Sequence, residues 1–161
     1  MHSKYILLIE DNPDDEALTI RALRENRVGN DIVVMRDGAE ARDFLFGLGA
    51  HKERDVTDVP QLILLDLKLP KLDGLDLLRR IRAFDSTHLV PVVILTSSPL
   101  DTDVATGYGL GANSYVRKPV DYGRFVEAVR QLGVYWLVIN RPPPLDPPAP
   151  PRAEGSAAAS A

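Results

Sequence analysis

The sequence predicts a doubly wound α/β fold, in which helices cover both faces of a five-stranded parallel sheet. Short runs of Val, Ile and Leu alternate with longer segments whose apolar residues recur at helical spacing. Continuous apolar runs of this length are typical of strands buried on both faces of a parallel sheet. Regular alternation of strands with helices favours parallel crossovers, so five strands and five helices are expected.

The first third of the chain contains two predicted strands with a helix between them. The apolar run Tyr5–Ile9 is the first strand, and residues 32–35 are the second. Asn12 can cap the intervening helix, and Pro13 suits its first turn. Gly29 and Asn30 mark the expected end of that helix.

The middle third repeats the pattern with a longer connection. A second helix is expected from Asp37 and Gly38 onward, followed at 47–59 by a mixed-charge segment predicted to be a solvent-exposed loop. The run Leu62–Leu65 is the third strand. A Pro- and Gly-containing loop at 67–74 then leads into a third helix.

The last third carries the fourth and fifth strands, expected at 92–95 and 115–117. The helix between them, at about 101–110, contains glycines that lower its intrinsic stability. A fifth helix begins near Asp121. The predicted domain spans residues 1–140, and the Pro- and Ala-rich segment 141–161 is expected to be disordered or polyproline II-like, with a polyproline-module ligand as the alternative.

Composition narrows the class of protein. The 161 residues are 45% hydrophobic and 26% charged with a net charge of -4, as expected for one soluble domain. Because the chain has no cysteine, disulfides and thiolate metal sites are excluded, which fits a reducing compartment. The N-terminal apolar run is too short for a signal peptide or a membrane span, so a cytoplasmic location is expected. Without a Lys/Arg cluster, direct nucleic-acid binding is not expected.

Chemically active residues follow the strands at the points where the strands end. Glu10 and Asp11 follow the first strand, Asp66 the third, Thr96 ends the fourth, and Lys118 follows the fifth. Ligands bind at the carboxyl edge of such sheets. Carboxylates without His or Cys favour Mg²⁺ or Mn²⁺. Asp66 is the central carboxylate and a competent phosphoryl nucleophile, while the Thr96 hydroxyl and the Lys118 ammonium suit phosphoryl oxygens.

Each of these residues also has a purely structural interpretation. The Glu10-Asp11 pair and Thr96 could cap helices, Asp66 could be a turn residue, and Lys118 could lie in a surface turn. Each interpretation is plausible alone. That all of them hold together, in this strand order, is much less plausible.

The segments IEDNPDD, ILLDLKLPKLDG, VVILTSS and SYVRKP together resemble the receiver domain of two-component response regulators over residues 3 to 135. The resemblance implies a CheY-like, or flavodoxin-like, sheet of order 2-1-3-4-5. It also implies phosphorylation by a sensor histidine kinase, with no enzymatic activity beyond the chain's own phosphorylation and dephosphorylation. The opening EDNP-D and the long loop are more narrowly similar to single-domain regulators paired with bacterial phytochromes.

The resemblance assigns roles to individual positions. It implies that Asp66 is the phosphoacceptor, that Asp11 binds Mg²⁺ directly, and that Glu10 does so through water. The backbone carbonyl of Lys68 would be a further ligand. The remaining implied roles are phosphate-sensing for Thr96 and Lys118, switching for Tyr115, and control of the dephosphorylation rate for Lys68 and Ser98.

The face formed by the fourth helix, fifth strand and fifth helix is the predicted output surface. Phosphorylation would draw Thr96 toward the phosphoryl group, and Tyr115 would swing into the vacated space. Tyr135 and Trp136 are residue types that anchor interfaces, so a homodimer through this face is expected, with an intramolecular clasp as the alternative.

Other functions fit less well. A haloacid-dehalogenase-type phosphotransferase would need an aspartate at position 68, where this chain has Lys68. A scaffold that ignores phosphate would not be expected to retain Asp66 and Lys118. A dinucleotide-binding domain is disfavoured because no Gly-rich turn follows the first strand.

Overall fold

The computed structural model describes residues 4–97, 100–118 and 121–143. The strands are β1 (Tyr5–Ile9), β2 (Asp31–Met35), β3 (Leu62–Leu65), β4 (Val92–Thr96) and β5 (Ser114–Arg117). The helices are α1 (Pro13–Glu25), α2 (Gly38–Phe46), α3 (Gly74–Ala83), α4 (Asp101–Gly109) and α5 (Tyr122–Val134). A 3₁₀ turn lies at Gly49–His51, and a π-helical turn at Tyr135–Ile139 continues α5.

The predicted fold class is confirmed. All neighbouring strands pair in parallel, in the order β2-β1-β3-β4-β5. Each strand except the last is followed by a crossover to another parallel strand, so the carboxyl ends of all five meet at one edge. Within the described part of the chain, no helix is long and apolar enough to cross a bilayer.

Two apolar clusters lie on opposite faces of the sheet. One includes Leu7, Ile63 and Ile94 and packs against α2 and α3 residues, whereas the other includes Leu8 and Leu64 and packs against α1 and α5. Successive strand residues point to opposite faces. Because both faces are covered, every residue of β1 and β3 is buried, as the uninterrupted apolar runs predicted.

The end of α1 differs from the prediction. The helix ends at Glu25, several residues before Gly29, because Asn26 caps it through its side-chain amide on the Ala22 carbonyl (2.8 Å). Arg27 then adopts a left-handed backbone conformation with φ 58°. A non-glycine residue in this conformation carries no clear sequence signal.

The long connection after α2 has no buried residue at 47–59, in agreement with the predicted exposed loop, but Arg54 attaches it to the rest of the domain. Arg54 stacks over the Phe44 ring, 4.0 Å from its centroid, and donates to the Phe44 carbonyl oxygen (2.9 Å). Arg54 also donates to the Tyr5 hydroxyl (2.6 Å) and to the Asp58 carbonyl oxygen. These bonds attach the connection to α2 and to the start of β1, away from the edge where the carboxyl ends of the strands meet. Positions 144–161 of the predicted tail lie outside the described residues.

Candidate functional site

The side chains at the sheet edge are positioned by backbone bonds that continue the strands. The amide of Glu10 donates to the Met35 carbonyl oxygen (3.0 Å), and that of Asp66 donates to the Ile9 carbonyl oxygen (3.0 Å). On the far side, the Lys118 amide donates to the Thr96 carbonyl oxygen (2.7 Å). The site is therefore an extension of the buried sheet.

Lys118 is the centre of the site. Its Nζ lies 2.6 Å from Glu10 Oε2, 3.0 Å from Asp15 Oδ2 and 3.0 Å from Asp66 Oδ2. Only 8% of the Lys118 side chain is exposed, and an ammonium has three N–H donors. A buried cation thus has all its donors directed at carboxylates. The sequence prediction that Glu10, Asp66 and Lys118 converge is consistent with this arrangement.

Both carboxylate oxygens of Asp66 accept hydrogen bonds. Oδ1 accepts from the Thr96 hydroxyl (3.0 Å) and from the Lys68 amide (3.2 Å), and Oδ2 accepts from Lys118. These three bonds fix the orientation of the carboxylate at the carboxyl edge of the sheet. The Thr96 hydroxyl therefore contacts the Asp66 carboxylate directly.

The electrostatics of the site combine burial with excess negative charge. Burial raises the pKa of Glu10 to about 7, and the negative charge of Asp66 adds to this effect. Burial alone would lower the pKa of Lys118, but the hydrogen bond to Glu10 and the charges of Asp66 and Glu10 outweigh it and raise that pKa. Lys118 therefore remains an ammonium, and burial makes Glu10 a weaker acid than an exposed glutamate.

Asp15 is a site residue that the sequence analysis missed. It lies in the first turn of α1, whose N-cap Asn12 accepts from the amides of Asp14 and Asp15. Side chains tilt toward the N-terminus of a helix, and α1 begins immediately after β1. The third position of a helix that starts at a sheet edge therefore points toward the site, and this geometric rule could have identified Asp15.

Three carboxylates form a group of oxygen ligands suited to a hard cation. One oxygen from each of Glu10, Asp15 and Asp66 lies within 4.8 Å of the other two. An all-oxygen set without His or Cys fits Mg²⁺ or Mn²⁺. Asp11 is exposed and lies outside this group, and its role as a direct ligand stays a prediction, as does that of the Lys68 carbonyl.

The loop after Asp66 is held against the sheet by close backbone contacts. A Cβ at Gly74 would lie 2.4 Å from the Asp66 carbonyl oxygen, and one at Gly38 would lie 1.9 Å from the Leu72 carbonyl oxygen. Glycine is required at both positions because α3 and α2 begin in contact with this loop. The Lys68 side chain is exposed, whereas its amide is fixed on Asp66.

Tyr115 lies on β5, half-buried against the cluster that contains Ile94. A Cβ at Gly107 of α4 would lie 3.6 Å from the Tyr115 ring and 2.8 Å from Ile94 Cδ1. Because Gly107 has no side chain, α4 can pack closely against the Tyr115 ring. Ser98, the second predicted rate-modulating residue, lies outside the described residues.

The end of α5 presents apolar side chains to solvent. Tyr135, Val138 and Ile139 are 48%, 78% and 65% exposed, whereas Trp136 is half-buried against the α1–α5 side of the core. A groove of about 370 Å³ between β5 and this turn is lined in part by Val116 and Trp136. Of the two predicted interface residues, Tyr135 faces outward and Trp136 packs mainly inward.

Known proteins share both the sequence pattern and the fold. The response regulator receiver domain family matches residues 6–130. The response regulator Rcp1 of Synechocystis sp. is 34% identical over 134 residues, which span 83% of this chain and 89% of Rcp1. The Mn²⁺-bound form of Rcp1 has a TM-score of 0.80 at 33% identity, covering 88% of this chain and 99% of that chain.

Two other solved structures are similarly close. The phosphorylated cyanobacterial phytochrome response regulator RcpA has a TM-score of 0.81 at 34% identity, covering 88% of this chain and 99% of that chain. The bacteriophytochrome response regulator RtBRR is 46% identical with a TM-score of 0.70, covering 88% of this chain and 85% of that chain.

Proposed function

Because the chain belongs to the response regulator receiver domain family, we propose that Asp66 is its phosphoacceptor and that a sensor histidine kinase supplies the phosphoryl group. The observation that carries the proposal is the environment of the Asp66 carboxylate. Its two oxygens accept from Thr96, the Lys68 amide and Lys118, which come from three separate parts of the chain. These are the donors that an anionic phosphoryl group would need.

In the proposed reaction, a carboxylate oxygen of Asp66 attacks phosphorus and forms an O–P bond as the bond between phosphorus and the donor's leaving group breaks. A carboxylate oxygen is itself the nucleophile, so the reaction uses no general base. Lys118 and the Thr96 hydroxyl stabilise charge on the transferred oxygens. Hydrolysis of the aspartyl phosphate returns the carboxylate. The chain would catalyse only these two steps on itself, with Lys68 and Ser98 affecting the rate of the second.

Glu10, Asp11 and Asp66, with the backbone carbonyl of Lys68, are the proposed ligands of Mg²⁺. When bound, the ion would neutralise charge between the carboxylates and the incoming phosphoryl group. Two observations support this assignment. Glu10 and Asp66 belong to the described group of carboxylate oxygen ligands, and the relative Rcp1 has been solved in an Mn²⁺-bound form.

The proposed kinase is of the phytochrome type, and the proposed location is the cytoplasm. Support for the kinase comes from relatives, since RcpA and RtBRR are both phytochrome response regulators and each covers 88% of this chain. A phosphotransfer assay with a purified bacteriophytochrome kinase tests this choice. Transfer no faster than from an unrelated histidine kinase would contradict it.

The output surface is proposed to be the face formed by α4, β5 and α5. On phosphorylation, the Thr96 hydroxyl would donate to the phosphoryl group instead of to Asp66. This change would alter the packing of β4 against β5, where Ile94 pairs with Tyr115. Tyr115 is half-buried beneath Gly107, so a small shift of α4 would free the ring to reorient. The signal is therefore a population shift between two arrangements of this face.

The same face is proposed to form a homodimer. Its exposed apolar residues include Tyr135, Val138 and Ile139, and Tyr135 lines the groove beside β5. Sedimentation of wild type, Val138→Asp and the control Leu48→Asp tests this proposal. Val138 and Leu48 are 78% and 46% exposed, so neither change disturbs the core. We expect a dimer that only Val138→Asp dissociates, and a monomeric wild type would contradict the proposal.

The phosphoacceptor assignment is tested with acetyl phosphate and Mg²⁺, followed by intact-mass measurement. Wild type should gain the mass of one phosphoryl group, and Asp66→Asn should gain none. Asp73→Asn is the control, because Asp73 caps α3 nearby but lies outside the site. A mass gain that persists in Asp66→Asn would contradict the proposal.

A further inference from the structure

The three carboxylates around Lys118 differ in their access to water. The side chains of Glu10 and Asp66 are 3% and 10% exposed, whereas that of Asp15 is 37% exposed. Asp15 Oδ2 nevertheless lies 3.0 Å from the ammonium, the same distance as Asp66 Oδ2. The most exposed of these three carboxylates therefore takes one of the three donors of Lys118.

Lys118 gives Asp66 one of its three donors, and a phosphoryl group there would compete with Glu10 and Asp15 for the other two. The group brings close to two negative charges and three acceptor oxygens. Releasing Glu10 would leave a buried carboxylate without its ammonium partner, which is costly. Releasing Asp15 costs less, because water can solvate it and the N-terminus of α1 stabilises an anion there.

We propose that Asp15 is a counter-ion that competes with the phosphoryl group for Lys118. It is a positioning residue that acts through Lys118, and the inference rests on the proposed function of Asp66. In the unphosphorylated protein, Asp15 holds the ammonium toward α1. On phosphorylation, Lys118 exchanges Asp15 for a phosphoryl oxygen. Asp15 thereby lowers the affinity of the site for the phosphorylated state.

Asp14 supplies a matched control. It lies beside Asp15 in the same helical turn, has the same charge, and is exposed with its amide on the Asn12 cap. If Asp15 served only to stabilise the N-terminus of α1, Asp14→Asn and Asp15→Asn would have the same effects. If Asp15 were a metal ligand, Asp15→Asn would weaken metal binding.

The experiment measures two affinities by calorimetry in wild type, Asp14→Asn, Asp15→Asn, Asp15→Ser and Asp66→Asn. The first is the affinity for Mn²⁺ alone. The second is the affinity for beryllofluoride, a phosphoryl mimic, at saturating Mg²⁺. Thermal unfolding of each variant confirms that it is folded, and Asp15→Ser serves as a second neutral replacement if Asp15→Asn unfolds.

Both Asp15 variants should bind beryllofluoride about fivefold more tightly than Asp14→Asn, as expected for loss of a partly exposed competing ion pair. Their Mn²⁺ affinity should stay close to that of Asp14→Asn. Equal beryllofluoride affinities in the Asp14 and Asp15 variants would overturn the inference, as would a loss of Mn²⁺ affinity confined to the Asp15 variants. If beryllofluoride binds wild type no better than Asp66→Asn, the proposed function itself fails.

Discussion

The carboxyl edge of β1 and β3 and the face formed by α4, β5 and α5 are built in opposite ways. Every residue of β1 and β3 is buried, whereas no residue of β5 is. At the edge, the side chains of Glu10, Asp66 and Lys118 each make at least two hydrogen bonds. The face carries exposed apolar side chains, a helix that contains Gly107 and Gly109, and a π-helical turn.

Under the proposed function, this difference separates the site that accepts the phosphoryl group from the surface that responds to it. A phosphoryl acceptor must be held in one geometry, which buried strands provide because their packing and backbone bonds leave little freedom. A switching surface needs two arrangements that are close in free energy, which half-exposed elements provide. Lys118 links the two regions, since it follows β5 and its ammonium contacts residues that follow β1 and β3.

The largest expected effect is on stability. Leu64 lies in the middle of β3 and is 1% exposed, so Leu64→Ala should lower the free energy of unfolding by about 2–5 kcal/mol through lost burial and a residual cavity. Val138 is 78% exposed, so Val138→Ala should change it by less than about 0.5 kcal/mol. Urea unfolding at low protein concentration measures both. Similar losses at the two positions would remove the distinction between the regions.

A second prediction concerns how the burial of Glu10 lowers the free energy of unfolding. Burial raises the pKa of Glu10 from its ordinary 4.5 to about 7, so the native state binds more protons than the unfolded state between these values. Stability contributed by protonated Glu10 is therefore complete below pH 4.5 and lost as pH rises through 7. Without metal at pH 8, Glu10→Gln should be more stable than wild type by about 1–3 kcal/mol.

Chelator-treated protein at pH 4 and pH 8 provides the measurement. The difference between Glu10→Gln and wild type should be small at pH 4 and large at pH 8. Glu53→Gln changes the same charge at an exposed position and should show no such pH dependence. A destabilised Glu10→Gln protein at pH 8 would mean that its bond to Lys118 outweighs the cost of burying it.

The smallest expected effect concerns the stability of α4, which belongs to the proposed output surface. Alanine is favoured over glycine in helices by up to about 1 kcal/mol, and a Cβ at Gly109 would meet nothing within 4 Å. Gly109→Ala should therefore stabilise slightly. A Cβ at Gly107 would lie 2.8 Å from the buried Ile94 Cδ1, so Gly107→Ala should be less stable than Gly109→Ala by about 1 kcal/mol. Thermal unfolding compares them, and equal stability would show that α4 does not press on Ile94 and Tyr115.

The sequence predicted the carboxyl edge of β1 and β3 better than the face formed by α4, β5 and α5. Uninterrupted apolar runs identify β1, β3 and β4, and their ends identify Glu10, Asp66 and Thr96, because parallel strands bring their carboxyl ends together. The bonds among these side chains could not be predicted. Asp15 was missed because its role depends on the direction in which α1 leaves the sheet.

Close backbone approaches also lacked a usable signal. Gly38 and Gly74 are required because the loop after Asp66 touches both of their helices, but a glycine near a helix start has several ordinary explanations. On the face formed by α4, β5 and α5, the sequence indicated interface aromatic residues without indicating which would face outward. Trp136 packs on the core and Tyr135 does not, which follows from the path of the π-helical turn.

The central claim is that a phosphoryl group on Asp66 changes the conformation of the face formed by α4, β5 and α5. Amide chemical shifts of ¹⁵N-labelled protein, recorded before and after adding Mg²⁺ and beryllofluoride, test it most directly. Shifts should change at Asp66 and Thr96, and also at Gly107, Tyr115 and along α5, while the second half of α2 stays unchanged. Asp66→Asn should abolish every change that beryllofluoride causes. Changes confined to the residues around Asp66, with Tyr115 and α5 unaffected, would contradict the claim.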